Sequence, residues 1–108
     1  MPIRATVWGE NVHEQKNKAV AENYPKGMHG QIAALLSEDK NIVASTVTLQ
    51  DPEHGMTEKK LDETDVLLWW GHAAHNLVDD AIVERVAARV WQGMGLIVLH
   101  SGHHSKVF

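Results

Sequence analysis

The sequence contains no cysteine at all. This absence excludes a disulfide framework, a cysteine-ligated zinc site and a thiol nucleophile. No apolar run is long enough to cross a membrane, and the opening residues Met1–Arg4 lack the apolar core of a signal peptide. We therefore expect a cytoplasmic protein that does not act at a membrane.

Basic residues are also few, and they are not grouped. The ten Lys and Arg are scattered along the chain and the net charge is −4, so no basic patch for nucleic acid is present. Histidine, in contrast, is plentiful. Eight histidines in 108 residues make the charge sensitive to pH between about 5 and 8.

Strand and helix patterns alternate along the chain. The predicted strands are Ile3–Trp8, Ile42–Leu49, Val66–Trp70 and Gly95–Leu99. The predicted helices are Met28–Ser37, a short one within Thr57–Glu63, and one that starts at Asn76 or Asp79 and runs to Gln92; residues 12–23 are predicted to be a long loop with some helix. This alternation predicts an α/β fold with a parallel sheet and right-handed crossovers. We expect the flavodoxin-like strand order 2-1-3-4, with the first strand central and the fourth at an edge.

The fourth strand ends close to the end of the sequence. Residues Ser105–Phe108 resemble the beginning of a further helix, and parallel sheets are normally covered on both faces. We therefore expect residues 1–108 to be the N-terminal part of a single, truncated domain, although a small complete four-stranded domain is the alternative. Uncovered apolar surface favours association, so we also expect a homo-oligomer.

Most of the histidines follow predicted strands. Those that come after the first, third and fourth strands are His13, His72, His75, His100, His103 and His104, whereas His29 and His54 do not follow a strand in this way. Ligands of open α/β sheets bind beyond the carboxyl ends of the strands. In the order 2-1-3-4 these three ends are neighbours. The sequence therefore predicts a histidine-rich site there, with Glu10 or Glu14 and Trp70 nearby.

A divalent metal, zinc for instance, would suit such a group of histidines. Crowded imidazoles cannot all be protonated, because like charges disfavour one another, and a metal favours their neutral form. The predicted metal ligands are His72, His75 and His103. If a metal is bound, two or three nitrogens should lie about 2.0–2.1 Å from it. The alternative for each histidine is a hydrogen bond to the loop backbone.

Tryptophan and serine side chains also lie near these predicted strand ends and are candidates for a site. Trp69 and Trp70 point to opposite sides of their strand, so one is core; the other either stacks on a sugar ring or is core as well. Ser101 lies at a strand-to-helix turn, but of the Gly-x-Ser-x-Gly elbow only the trailing Gly102 is present. The elbow therefore presents His100, and a serine hydrolase is a poor interpretation. Glycine motifs for dinucleotides or phosphates are also lacking.

Three segments together resemble one family. Val7–Glu14, Leu68–His75 and Leu99–His103 with Lys106 resemble the trehalose-utilisation (ThuA-like) family, which belongs to the class I glutamine amidotransferase-like superfamily. The resemblance implies a flavodoxin-like fold and a role in disaccharide or modified-sugar metabolism, and it covers what looks like the N-terminal half of the family's domain. Where the amidotransferases carry their nucleophilic cysteine, this chain has His100. Glutamine hydrolysis is therefore excluded.

Three hypotheses of function remain open. The first is an enzyme of sugar utilisation in which His100, His72 and Glu14 are catalytic. In this hypothesis the residues that contact the sugar are Trp70, His13 and Ser101. The second is a non-catalytic sugar-binding or regulatory domain on the same fold, and the third is a structural interaction module.

Overall fold

The structure, a computed structural model, describes residues 2–12, 18–23, 27–71, 74–99 and 105–107. The strands are β1 (Ile3–Gly9), β2 (Ile42–Thr48), β3 (Val66–Trp70) and β4 (Gly95–Val98). The α-helices are α1 (Lys18–Asn23), α2 (Gly27–Leu36), α3 (Glu58–Asp62) and α4 (Asp80–Trp91). All strand pairs are parallel and their order is β2-β1-β3-β4. The predicted fold class and strand order are confirmed.

The sheet has an apolar cluster on each face. On one face, Leu61 of α3 and Ile82 and Val86 of α4 pack with side chains of β1 and β3. On the other face, α2 packs against Val7 and Leu68. The connection from β1 to β2 therefore crosses one face, whereas those from β2 to β3 and from β3 to β4 cross the other. Because the chain changes direction between β1 and β3, the crevice of the sheet lies between these two strands.

Two tryptophans on neighbouring strands form the centre of the larger cluster. Trp8 and Trp69 are register partners in β1 and β3, and their rings stack with centroids 3.7 Å apart and planes 4° from parallel. Each is 1% exposed. The indole Nε1 of Trp8 donates a hydrogen bond to the carbonyl oxygen of His54 at 2.9 Å. This bond satisfies a polar group that burial would otherwise leave without a partner.

Helix α4 begins at the second of its two predicted starts. Asp79 is the N-cap residue, and its Oδ1 accepts a hydrogen bond from the backbone N–H of Ala81 at 2.8 Å. Such a bond satisfies one of the free N–H groups of the first helical turn. The helix therefore begins at Asp80, ten positions after Trp70, the last residue of β3.

Strand β4 lies at an edge of the sheet, and part of its face is open. Ile97 is 48% exposed, so this apolar side chain of β4 is partly open. The homo-oligomer stays a prediction. Among the residues that the structure describes, no helix combines the length and the apolar character needed to cross a membrane.

A pair of charges joins the amino ends of β1 and β3, opposite the predicted site. The guanidinium of Arg4 donates to both carboxylate oxygens of Asp65, at 3.0 and 3.1 Å, and the Arg4 backbone N–H donates to the same carboxylate at 2.8 Å. The side-chain hydrogen bonds from Arg4, followed by the backbone one, lower the pKa of Asp65 from 3.8 to about 2. This shift reflects strand pairing and not a site of catalysis.

The lowered pKa of Asp65 predicts a pH dependence of stability. The stabilisation is fully present above the unfolded pKa near 3.8 and is lost as the pH falls through the folded pKa of about 2. We expect Asp65→Asn to be less stable than the wild type at pH 6, and this difference to shrink towards pH 2. Urea unfolding at pH 6, 4 and 3 measures it, with the exposed Asp62→Asn as control. A difference that does not change with pH would contradict the assignment.

Candidate functional site

The crevice between β1 and β3 is closed at its base by backbone contacts. Gly9 and Trp70 are register partners at the last positions of the two strands, and the Glu10 N–H donates to the Trp70 carbonyl at 3.2 Å. Side chains that follow Gly9 and Trp70 therefore meet at the carboxyl edge, where ligands of this kind of sheet bind.

Glu10 places a carboxylate inside this edge. It is 0% exposed, and its Oε2 accepts a hydrogen bond from the Ala74 N–H at 2.9 Å. Its carbonyl oxygen accepts a further bond from the side-chain amide of Gln50 at 3.0 Å. The main chain of Glu10 is thereby tied to β3 and to the turn after β2, while its side chain is tied to the connection after β3.

A glycine lies at the carboxyl end of each strand, Gly9 as the last residue of β1 and Gly71 directly after β3, and a histidine ring lies against each glycine. A Cβ added to Gly71 would lie 3.0 Å from Nδ1 of His75 and 3.2 Å from Oε2 of Glu10. A Cβ added to Gly9 would lie 2.8 Å from Nδ1 of His29. Neither ring could come this close to a residue with a side chain. The missing Cβ atoms thus allow two imidazoles and a carboxylate to lie around the ends of β1 and β3.

Three of the predicted site residues lie in the described part of the chain, and they are Glu10, Trp70 and His75. Trp70 ends β3 and is largely buried, with 7% of its surface exposed. Both ring nitrogens of His75 are buried, and the ring lies against Gly71. The other predicted residues, outside the described residues, are His13, Glu14, His72, His100, Ser101 and His103.

A complete set of metal ligands is not present in the described ranges. No three His, Asp or Glu side chains among residues 2–12, 18–23, 27–71, 74–99 and 105–107 are grouped so that they could hold a metal ion. Of the three predicted ligands, His75 is described and His72 and His103 are not. The zinc site stays a prediction.

Leu99 and Lys106, which come before and after positions 100–104 in the sequence, are both hydrogen-bonded to the rest of the fold. The Leu99 N–H donates to the Trp69 carbonyl at 3.0 Å. Nζ of Lys106 donates to the Val78 carbonyl and to Oδ1 of Asp80, both at 2.9 Å. The residues on either side of this histidine-containing segment are thus attached to the end of β3 and to the start of α4.

Sequence reasoning missed the contact of His29 with the first strand. His29 does not follow a strand along the chain, yet α2 brings it onto Gly9, the last residue of β1. A signal was available, because Trp8-Gly9-Glu10 and Trp70-Gly71-His72 repeat the order Trp, Gly, polar residue at two neighbouring strand ends. Glycine at such a position indicates close approach by another group.

His54 has a structural role, because its ring connects two elements of the fold. Its Nδ1 lies 2.9 Å from the Leu49 carbonyl and its Nε2 accepts from the Asp79 N–H at 3.1 Å. In this arrangement Nε2 is the acceptor of the Asp79 N–H, and Nδ1 lies where it can donate to the Leu49 carbonyl. This histidine joins the turn after β2 to the N-cap of α4. Its ring thus hydrogen-bonds to the backbone, which is the structural alternative to a role in a site.

Two surface grooves in the described part of the chain lie away from this edge. One, of about 240 Å³, lies between α3 and α4 and is lined in part by Arg85 and Arg89. These arginines bind backbone carbonyls of Met56, Leu61 and Thr64. The other, of about 270 Å³, lies at the amino ends of β1 and β2. Neither groove contains a residue from the crevice between β1 and β3.

The sequence profile described as trehalose utilisation (ThuA) matches residues 4–107. The chain belongs to the trehalose-utilisation family. The match covers nearly the whole chain, including all three segments on which the resemblance was based, so that expectation is confirmed. No curated protein matches this member of the family significantly.

Proposed function

We propose that this member of the trehalose-utilisation family binds and converts trehalose or a related disaccharide at the carboxyl ends of β1, β3 and β4. The observation that carries the proposal is that Glu10 and His75 each lie close to Gly71, at the edge of the sheet where ligands of this kind of fold bind. The family match supplies the class of substrate. Carboxylate and imidazole are also the groups that most often transfer protons near neutral pH.

The proposed roles follow the sequence-based assignment. His100 and His72, with Glu14, act as acid and base on sugar hydroxyl or carbonyl groups, and Trp70, His13 and Ser101 contact the sugar. The hydrogen bonds of Leu99 to β3 and of Lys106 to Val78 and Asp80 support the proposal that the sequence between these two residues takes part in the site. The absence of cysteine from the sequence leaves no part for a thiol in this chemistry.

Turnover tests the proposal directly. The protein is incubated with trehalose and with trehalose that carries one hydroxyl oxidised to a ketone, and the products are followed by proton NMR. We expect the wild type to convert one of the two sugars. The rate of this conversion should fall by about a hundred-fold or more in His100→Ala and His72→Ala. Gln31→Ala, an exposed change on α2, is the matched control. Sugar binding without conversion would support the non-catalytic alternative. If the protein shows no sugar binding and no conversion, the proposal is overturned.

A zinc titration tests the metal part separately. When bound, zinc would polarise a sugar oxygen and lower the pKa of a bound water. We expect zinc to bind the wild type. The substitutions His72→Ala and His100→Ala should each lower the zinc affinity by about ten-fold or more. Isothermal titration calorimetry measures the affinity, again with Gln31→Ala as control. Equal affinity in all four proteins would remove the metal from the proposed site.

A further inference from the structure

The groove at the amino ends of β1 and β2 lies at the edge of the sheet opposite the proposed sugar site. Its lining includes Thr6 of β1, Val43 and Ser45 of β2, and Lys60 of α3. Thr6 and Ser45 are register partners, so their side chains lie on one face of the sheet, the face on which Leu61 of α3 packs. The groove has a volume of about 270 Å³, close to the lower limit for ligand pockets of about 300–1,000 Å³. It therefore suits a small molecule.

Lys60 is fixed in this groove at both its backbone and its ammonium group. Its N–H donates to Oγ1 of Thr57 at 3.1 Å, and its carbonyl oxygen accepts from the hydroxyl of Thr64 at 2.7 Å. Its Nζ donates to Oγ of Ser45 at 2.6 Å. A lysine side chain loses much rotamer entropy when it is held in one place. Because the fold already holds this ammonium, a ligand that binds it has less ordering to impose.

The ammonium of Lys60 forms no ion pair with a carboxylate among the residues that the structure describes. Arg4, which also lines the groove, is bound by Asp65. Glu63 is a further lining residue, but it is exposed and is not paired with Lys60. An ammonium has three N–H donors, and Ser45 accepts one of them. Lys60 therefore has donors left for a negatively charged ligand.

We infer that this groove binds the phosphate or carboxylate group of a small molecule, held by the ammonium of Lys60 and the hydroxyl of Ser45. Hydrogen bonds between a charged donor and an oxyanion are short and strong. The Ser45 oxygen accepts from Lys60, so its own proton is available to the same oxyanion. Val43, which is 57% exposed, offers an apolar surface to the carbon part of the molecule. The inference does not depend on the proposed sugar site, which lies at the other edge of the sheet.

Titration of the ¹⁵N-labelled protein with inorganic phosphate, and separately with acetate, tests the inference by NMR at low ionic strength and neutral pH. We expect at least one of these anions to shift the amide resonances of Val43 and Ser45 to saturation, and the tighter of the two identifies the ligand class. Lys60→Gln should lower this affinity by about ten-fold or more. Lys59→Gln, the matched control, removes the same charge from an exposed neighbour outside the groove and should lower the affinity by less than about two-fold.

Two results would overturn the inference. One is the absence of a saturable shift with either anion, and the other is an equal loss in Lys60→Gln and Lys59→Gln, which would show only an effect of net charge. Two further variants serve if Lys60→Gln does not fold. Ser45→Ala should lower the affinity about three-fold because it removes a hydrogen bond, and Glu63→Gln should raise it about two-fold because it removes a like charge. Wild-type affinity in both of these variants would also overturn the inference.

Discussion

Trp69→Ala is expected to lower the free energy of unfolding by about 3–5 kcal/mol. Trp69 is 1% exposed, and its ring stacks on Trp8 in the centre of the larger apolar cluster. Alanine would leave a cavity next to a ring whose Nε1 is fixed to the His54 carbonyl, so Trp8 is hindered from filling the space. Domains are commonly stable by only about 5–15 kcal/mol, and the variant should lose much of that margin.

Urea unfolding followed by far-UV circular dichroism measures this loss. Trp91→Ala is the matched control, because Trp91 is 90% exposed at the end of α4, and we expect its effect to stay within about 0.5 kcal/mol. Trp8→Ala and the double variant complete a cycle. The cycle should reveal a coupling of about 0.5–1.5 kcal/mol between the two stacked rings. A Trp69→Ala variant as stable as Trp91→Ala would show that the stack does not support the fold.

The strands of this fold could be predicted because each is marked locally. The continuous apolar run Val66–Trp70 predicted a strand buried on both faces, and the residues from Leu67 to Trp70 are all buried. Alternation of strand and helix then left few topologies, and the order 2-1-3-4 is confirmed. Strand ends were correct within a residue because glycine or a turn follows most of them.

The contacts at the carboxyl ends of β1 and β3 could not be predicted from the sequence. The carboxyl ends of parallel strands follow from topology, whereas the burial of Glu10 and its hydrogen bond from Ala74 depend on tertiary packing. In the same way, His29 reaches Gly9 only because α2 packs across β1 and β2. Sequence spacing carries no information about these tertiary contacts, and it therefore favoured histidines that directly follow strands.

The turn after β2 shows a further limit of sequence patterns. Glu53, His54 and Gly55 all have positive φ angles, of 54°, 56° and 70°. Left-handed backbone costs a residue with a side chain about 1–2 kcal/mol, so no propensity scale predicts it for Glu or His. Tertiary bonds hold the turn instead: the His54 ring binds Leu49 and Asp79.

Gly55→Ala should therefore be the other strongly destabilising change, with an expected loss of about 3 kcal/mol or more from backbone strain and overpacking together. At φ +70°, a new Cβ would lie 2.3 Å from Cβ of Val47 on β2. Side-chain rotation cannot relieve a clash between two Cβ atoms, so the turn must move away from the sheet. The movement would also pull His54 from the N-cap of α4 and from the ring of Trp8.

Gly93→Ala separates the two causes of that loss. Gly93 has φ +112° but no atom within 4 Å of a new Cβ, so the variant carries backbone strain alone and should lose less than Gly55→Ala in the same urea experiment. Adding Val47→Ala to Gly55→Ala should not restore stability, because alanine keeps the Cβ that clashes. Val47→Gly removes this atom and should recover part of the loss, although glycine weakens β2. Equal losses in Gly55→Ala and Gly93→Ala would mean that strain, and not the contact with β2, limits residue 55.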